Sequence, residues 1–76
     1  MASQQEIGNT IIKLRKAKGI SQESLAAEAG IDRRYMSDIE QGKRNLSLDI
    51  LNRLAAFFGI PLSALIKEAE DCNLNK

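Results

Sequence analysis

The fold is decided by residues 22–39, which read QESLAAEAGIDRRYMSDI. Gly30 stands between two apolar segments of this stretch, and glycine enters a left-handed helical C-cap without steric cost. Asp32 follows, and its carboxylate can accept from the free backbone N–H groups that begin a second helix. The apolar positions give both helices an inward face at helical spacing: Leu25, Ala26, Ala29, Ile31, Met36 and Ile39. The stretch therefore predicts two short helices that cross closely, a helix-turn-helix.

A helix-turn-helix commonly places its second helix in the major groove of DNA. Here that helix begins with Arg33 and Arg34, so two forked guanidinium groups stand where base edges would be met. The alternative is that both arginines are ordinary exposed residues of a solvated helix. The motif and the two arginines together favour a sequence-specific DNA-binding protein.

The rest of the chain is also predicted to be helical. Apolar residues recur at Ile7, Ile11 and Leu14, glycines interrupt the chain at 19, 42 and 59, and Pro61 suits a first helical turn. These signals predict helices over 4–18, 22–29, 33–41, 48–58 after a Ser47 cap, and 61–70. No alternating stretch indicates a strand. The predicted fold class is an all-α bundle of five short helices, one domain over 1–70, with a flexible tail over 71–76.

Length and charge add two constraints. A chain of 76 residues buries only about 60% of its unfolded surface, so a monomer would be marginal and dimerisation is one remedy. The net charge is only +1, but the basic residues are concentrated, which favours a DNA-binding surface over a merely solvated face. They cluster in two segments: Lys13, Arg15, Lys16 and Lys18, then Arg33, Arg34, Lys43 and Arg44.

Several function classes are disfavoured by residue types that the sequence lacks. With no histidine, a histidine-based general acid or base and a Ser-His-Asp or Cys-His nucleophile cannot be built. The single cysteine, Cys72, excludes an intramolecular disulfide, and we assign it no role. The sequence shows no phosphate-binding glycine loop or secretory signal, and the apolar run over 54–66 is interrupted and too short for a bilayer. We therefore expect no enzymatic activity, cofactor, metal site or membrane association, and a cytoplasmic location.

Three longer stretches resemble a known family. Residues 14–26 (LRKAKGISQESLA), 30–45 (GIDRRYMSDIEQGKRN) and 54–60 (LAAFFGI) are similar to the Cro and phage-repressor type of helix-turn-helix regulators, the XRE family. The resemblance extends over about 7–66, and segments 32–37 and 44–48 resemble the controller proteins of restriction–modification systems. Antitoxins and general phage-type repressors share much of the pattern. The resemblance implies a lambda-repressor-like domain that binds DNA.

The resemblance also implies which residues contact DNA. The base contacts would be made by Arg33, Arg34, Ser37 and Asp38. An arginine can donate two hydrogen bonds to guanine, and an aspartate can accept from cytosine N4. Phosphate contacts, which give affinity and register, would be made by Gln22, Tyr35, Lys43, Arg44 and Asn45. Alternatively, Gln22 is an ordinary residue of the first turn of its helix. Tyr35 could instead contact a thymine methyl group or cover the edge of the core. The residues assigned to base contacts could simply be exposed residues of a solvated helix.

An internal ion pair is implied as well. In the resembling family, the positions of Arg15 and Glu40 form a largely buried pair that joins the first and third helices. Loss of one member would strand the other charge, which is costly. The alternative places Arg15 on DNA.

The fourth helix carries more apolar surface than one core face needs. Leu48, Leu51, Leu54, Ala55 and Phe58 suit the interior, and a second stripe lies beside them. The resembling controllers and repressors dimerise through this C-terminal region, and the alternative is that the second stripe completes the core. The implied dimer interface consists of Ile50, Leu54, Phe57, Leu62, Leu65 and Ile66.

The expected function is that of a homodimeric transcription regulator. Two recognition helices about 34 Å apart would read the half-sites of a pseudo-palindromic operator in double-stranded DNA. The bound dimer would block RNA polymerase or recruit it. The alternative class is an antitoxin or other protein-interaction module for which DNA binding is secondary.

Overall fold

The computed structural model describes residues 2–74, with side-chain surroundings described through 71. The described chain forms five α-helices, α1 (Gln4–Ala17), α2 (Gln22–Ala29), α3 (Arg33–Glu40), α4 (Leu48–Phe58) and α5 (Leu62–Leu74), and no strand. The predicted all-α fold is confirmed. The end predicted at 70 is wrong, because α5 continues to Leu74 with no glycine or proline after Pro61 to stop it. The predicted tail, 71–76, thus overlaps α5, and its last two residues lie outside the described range.

Short polar side chains determine where the helices begin. At α1, Ser3 Oγ accepts from Glu6 N at 3.1 Å while Glu6 Oε1 accepts from Ser3 N at 2.8 Å. At α3, one carboxylate oxygen of Asp32 accepts from the backbone N–H groups of Arg34 and Tyr35, at 3.0 and 3.3 Å. Such caps each stabilise a helix by about 1 kcal/mol, so the first turn of α3 has a defined position.

The core lies where α1 crosses α3 and α5 and where α2 and α4 close the other side. The α1–α3 crossing is tight because Gly8 has no side chain: a Cβ there would lie 2.5 Å from Ile39 O and 2.9 Å from Glu40 O. Close packing at this density makes the relative position of the helices sensitive to single methyl groups. The largest fully buried apolar side chains are Ile11, Leu25, Met36, Ile39, Leu54 and Leu65.

Two predictions about apolar residues need correction. Leu54 and Leu65 are fully buried within one chain, so neither has surface to offer a dimer partner. Their side chains are instead part of the core shared by α4 and α5. Leu48, assigned to the interior from its spacing, is 64% exposed because it is the first residue of α4 and precedes the turn that meets the core.

The same two helices are the most apolar segment of the chain. No single helix among residues 2–74 is long and apolar enough to cross a membrane. Together α4 and α5 reach the necessary length and composition, but they meet at a bend of 91°. This bend folds α5 back so that it packs against α1 and α4.

Candidate nucleic-acid interface

The turn between α2 and α3 is fixed by its own backbone and by α4. Gly30 takes the left-handed conformation, with φ of +70°, and Ile31 N donates to Ala26 O at 2.8 Å. From α4, Arg53 Nη1 donates to Gly30 O at 3.0 Å, and Arg53 Nε lies 3.1 Å from Asp49 Oδ2. Sequence reasoning missed Arg53. The spacing of Asp49 and Arg53 suggests a pair along one helix, but no local signal indicates its reach to the turn.

An open groove lies between the start of α2 and the first two turns of α3. The structure brings together here one predicted phosphate contact, three predicted base contacts and the cap of α3. The lining residues are Gln22, Asp32, Arg33, Arg34 and Ser37. Ser37 Oγ accepts from Gln41 Nε2 at 2.9 Å, which leaves its hydroxyl proton free to donate.

The two arginines at this groove are held only weakly. Arg33 Nη1 lies 3.6 Å from Glu23 Oε2, and the two side chains are 72% and 74% exposed. Exposed pairs of this kind contribute little free energy, so Arg33 can exchange its partner for a ligand. Arg34 makes no side-chain hydrogen bond or ion pair with the described part of the chain. Both guanidinium groups are therefore open to solvent.

Behind the groove, a buried polar network ties three helices together. Arg15 Nε and Nη2 donate to the two carboxylate oxygens of Glu40, at 2.8 and 3.1 Å, and only 15% and 4% of the two side chains is exposed. Arg15 Nη1 donates to Ile20 O at 3.2 Å, and Gln22 Nε2 donates to Glu40 Oε1 at 3.0 Å. Gln22, predicted as a phosphate contact, thus also joins α2 to the end of α3. Its second amide N–H remains available at the groove.

A second polar cluster lies at the other end of α3. Arg44 Nε donates to Asp38 Oδ2 at 3.2 Å, and the Arg44 guanidinium carbon lies 4.9 Å from the centre of the Tyr35 ring. The Tyr35 hydroxyl donates to Asn45 O at 3.4 Å. A predicted base contact, Asp38, and a predicted phosphate contact, Arg44, are therefore bonded to each other. Their pairing was missed because it depends on how the chain turns at Gly42.

That turn is packed against α1. Gly42 has φ of +72°, and a Cβ on it would lie 2.8 Å from Gln5 Oε1 and 3.0 Å from Gln5 Cα, so a larger residue does not fit. The side-chain amides of Gln4 and Asn45 contact each other nearby. Lys43 is exposed and makes no side-chain hydrogen bond or ion pair within the described residues. The backbone of this loop is thus positioned by α1 while its basic side chains face outward.

The four remaining residues of the predicted dimer interface are partly buried and lie away from the groove. Ile50, Phe57, Leu62 and Ile66 pack against the edge of the core, and none of them lines the groove. The Phe57 ring meets the Phe58 ring edge to face, with centroids 5.2 Å apart. Lys18 Nζ lies 5.6 Å from the centre of the Phe57 ring.

Comparison with known proteins places this geometry in a family. The sequence profile of the helix-turn-helix family matches residues 11–65. Control protein C.MunI from a Mycoplasma species is 52% identical over 64 residues, which cover 83% of this chain and 86% of that protein.

Solved structures of controller proteins have a similar fold. The restriction-modification controller protein C.AhdI from Aeromonas hydrophila has a TM-score of 0.77 at 40% identity, over 82% of this chain and 94% of that one. The controller C.Esp1396I bound to a 25 base pair operator site has a TM-score of 0.81 at 28% identity, over 93% of both chains. The chain therefore belongs to the XRE-type helix-turn-helix family and is a transcription regulator related to restriction–modification controller proteins.

Proposed function

We propose that this protein is a restriction–modification controller that binds a pseudo-palindromic operator as a homodimer. The observation that carries the proposal is the pair of open guanidinium groups at the first turn of α3. Arg33 and Arg34 lie on a groove whose two walls, α2 and α3, are fixed to each other by the Glu40 network. A rigid frame that presents loosely held, exposed arginines is suited to base readout, because the donors need little reorganisation on binding.

Base recognition is assigned to the face of α3 that lines the groove. Each arginine can donate two parallel hydrogen bonds to O6 and N7 of a guanine, and Ser37 can donate its hydroxyl proton one turn further on. Asp38 remains a predicted base contact, although its carboxylate is engaged by Arg44.

Phosphate contacts are assigned to the residues that flank this face. Gln22 offers an amide N–H at the start of α2. Lys43 follows α3, is exposed and has no ion-pair partner within the described residues. Tyr35 on α3, with Arg44 and Asn45 on the loop that follows α3, completes the set. Contacts of this kind set affinity and register rather than sequence preference.

The size of the chain supports more than one copy on an operator. The longest dimension of the chain is 31 Å, whereas 25 base pairs, the operator length in the C.Esp1396I structure, extend over about 85 Å at 3.4 Å each. Two copies related by a two-fold axis would place their α3 helices about 34 Å apart, one helical turn of DNA. We assign the interface to Ile50, Phe57, Leu62 and Ile66.

Regulation follows from occupancy of the operator. A bound dimer would exclude RNA polymerase from an overlapping promoter or contact it from an adjacent site. The concentration of the regulator would determine whether the operator is occupied. Dimer formation makes binding steeply dependent on concentration, because a monomer loses the linked second half-site. The regulator would act in the cytoplasm and would need no enzymatic activity or cofactor.

Selection from a pool of randomised duplexes tests the proposal. The enriched sequences should contain an inverted repeat whose half-sites are about 10 base pairs apart. Enrichment without inverted symmetry would refute the dimeric readout, and no enrichment over the starting pool would refute sequence-specific binding. Co-purification with a smaller or larger partner, together with weak DNA binding, would favour the antitoxin class instead.

The dimer has its own test in Phe57→Glu, with Leu48→Glu as the matched control. Phe57 is partly buried in the proposed interface, whereas Leu48 is the exposed leucine outside it. Sedimentation should show a dimer for the parent and the control at tens of micromolar, and a monomer for Phe57→Glu. A parent that sediments as a monomer while it protects a full palindrome at nanomolar concentration would contradict the dimer.

A further inference from the structure

The contact between Asp38 and Arg44 is at odds with a simple phosphate-binding role for Arg44. The carboxylate occupies Nε of the guanidinium at 3.2 Å, and Tyr35 covers one face of the same group. The side chains of Arg44 and Asp38 are 51% and 28% exposed. This pair is therefore more enclosed than Arg33–Glu23, in which both exposed fractions exceed 70%.

The first consequence concerns charge. A carboxylate bonded to Arg44 cancels most of its attraction for a distant phosphate. Attraction to phosphate supplies nearly all of the affinity for random DNA, so this affinity depends on the number of cations without a protein partner. Within the loop, the pairing leaves Lys43 as the cation that attracts any duplex, irrespective of sequence.

The second consequence concerns direction. With Nε bonded to Asp38, the N–H groups on the other edges of the Arg44 guanidinium remain as donors, and those groups point away from the carboxylate in the plane of the guanidinium. The backbone of the loop approaches α1 so closely at Gly42 that a Cβ there would lie 3.0 Å from Gln5 Cα. The pairing thus restricts the directions in which Arg44 can donate, and we expect a correctly docked operator, but not a loosely bound duplex, to supply an acceptor there.

We propose that Asp38 is a specificity-determining residue that acts through Arg44. Its carboxylate lowers the affinity for random DNA by neutralising Arg44, and it preserves operator affinity by directing the free N–H groups. This inference rests on the proposed DNA-binding function. It differs from a direct contact between Asp38 and cytosine, in which the carboxylate would act without Arg44.

The test is Asp38→Asn, which keeps the shape of the side chain and removes its charge. Affinity for a mixed-sequence duplex and for the duplex enriched by selection is measured at several salt concentrations. One more unpaired cation steepens the salt dependence by about one unit and raises mixed-sequence affinity roughly three- to eightfold at about 0.1 M salt. Operator affinity should rise less, so the ratio of operator to mixed-sequence affinity should fall by about threefold or more.

Two matched variants show whether the effect passes through Arg44. Glu23→Gln removes a carboxylate from the same surface, but one whose pair with Arg33 is loose, and it should change mixed-sequence affinity less than twofold. In an Arg44→Ala background, Asp38→Asn should have no greater effect than Glu23→Gln. A full-sized effect in that background would overturn the proposal, because Asp38 would then act without Arg44.

A measurement without DNA separates this proposal from the proposed function. In the free parent, the Arg44 Nε–H proton should give a resolved NMR resonance that exchanges slowly, and Asp38→Asn should abolish it. Absence of that resonance in the parent would overturn the pairing, whatever the DNA result. A parent with the resonance but without affinity for either duplex would refute the DNA-binding function and the inference with it.

Discussion

Arg15 and Arg33 both pair with a glutamate, yet the two pairs differ in every respect that matters for function. The Arg15–Glu40 pair is bidentate and almost fully buried, whereas the Arg33–Glu23 pair has one contact at 3.6 Å and is mostly in water. A buried ion without its partner is very costly, while an exposed ion exchanges its partner freely. Arg15 is therefore buried and serves the stability of the fold, whereas Arg33 is exposed and is available to a ligand.

The Arg44–Asp38 pair lies between these two cases. Its exposed fractions, 51% and 28%, are intermediate, and within the described residues the guanidinium is engaged on one edge and one face. An arginine held in this way can still bind a ligand through the edges of the guanidinium that remain free. The three pairs thus form a series in which burial sets the cost of separating the partners.

The largest expected effect is at the buried end of the series. Glu40→Ala should lower the free energy of unfolding by about 3–5 kcal/mol, because Arg15 loses its partner where water cannot replace it. Denaturant titration measures the loss. The double variant Arg15→Met with Glu40→Leu should recover much of it, because apolar residues can replace a buried pair. Equal unfolding midpoints for Glu40→Ala and the parent would mean that the pair carries no stability.

Variants of the exposed arginines should affect DNA binding and leave stability nearly unchanged. Arg33→Ala or Arg34→Ala should weaken operator binding by about 1–3 kcal/mol and relax preference at one base pair per half-site. Stability should change by less than about 0.5 kcal/mol, because neither side chain is packed. Melting curves and titrations on the selected duplex check both parts.

Lys43→Ala is the matched control for these arginine variants. It should weaken binding to selected and mixed-sequence duplexes alike and lower the salt slope by about one unit. If both arginine variants kept full operator preference, base readout would have to be assigned elsewhere on α3.

A smaller effect is expected at Arg53, which joins α4 to the turn before α3. Arg53→Ala should lower the free energy of unfolding by about 1 kcal/mol, the typical value of one hydrogen bond at a partly exposed site. The variant should also have a local effect: amide hydrogen exchange at Gly30 and Ile31 should accelerate more than exchange in α1. Uniform acceleration across all helices would show that Arg53 contributes only general stability.

The helices were predictable because their signals are local. Asp32 and Ser47 cap helices, and Gly30 ends one, at the positions that the sequence indicates. The end of α5 was predicted too early, and the sequence after Pro61 holds no glycine or proline as a local signal to stop the helix.

The candidate site was predictable only in part. The sequence located Arg33, Arg34, Ser37 and Gln22 near one another through the motif, and the structure places them on one groove. Their roles on DNA remain predictions. The contacts of Arg44 with Asp38 and of Arg53 with Gly30 were missed because they depend on how separate segments pack together. Periodicity and capping rules describe only local sequence.

Gly8 lies on α1 and does not line the groove, yet it sets how closely α3 packs against α1. With alanine at this position, Ile39 O would have to retreat by roughly an ångström to restore ordinary van der Waals separation. A chain altered in this way would fold at low temperature and release α3 first on warming. Gly8→Ala is therefore a natural choice for a temperature-sensitive allele, one in which the regulator is switched off by heat while its DNA-facing residues stay intact.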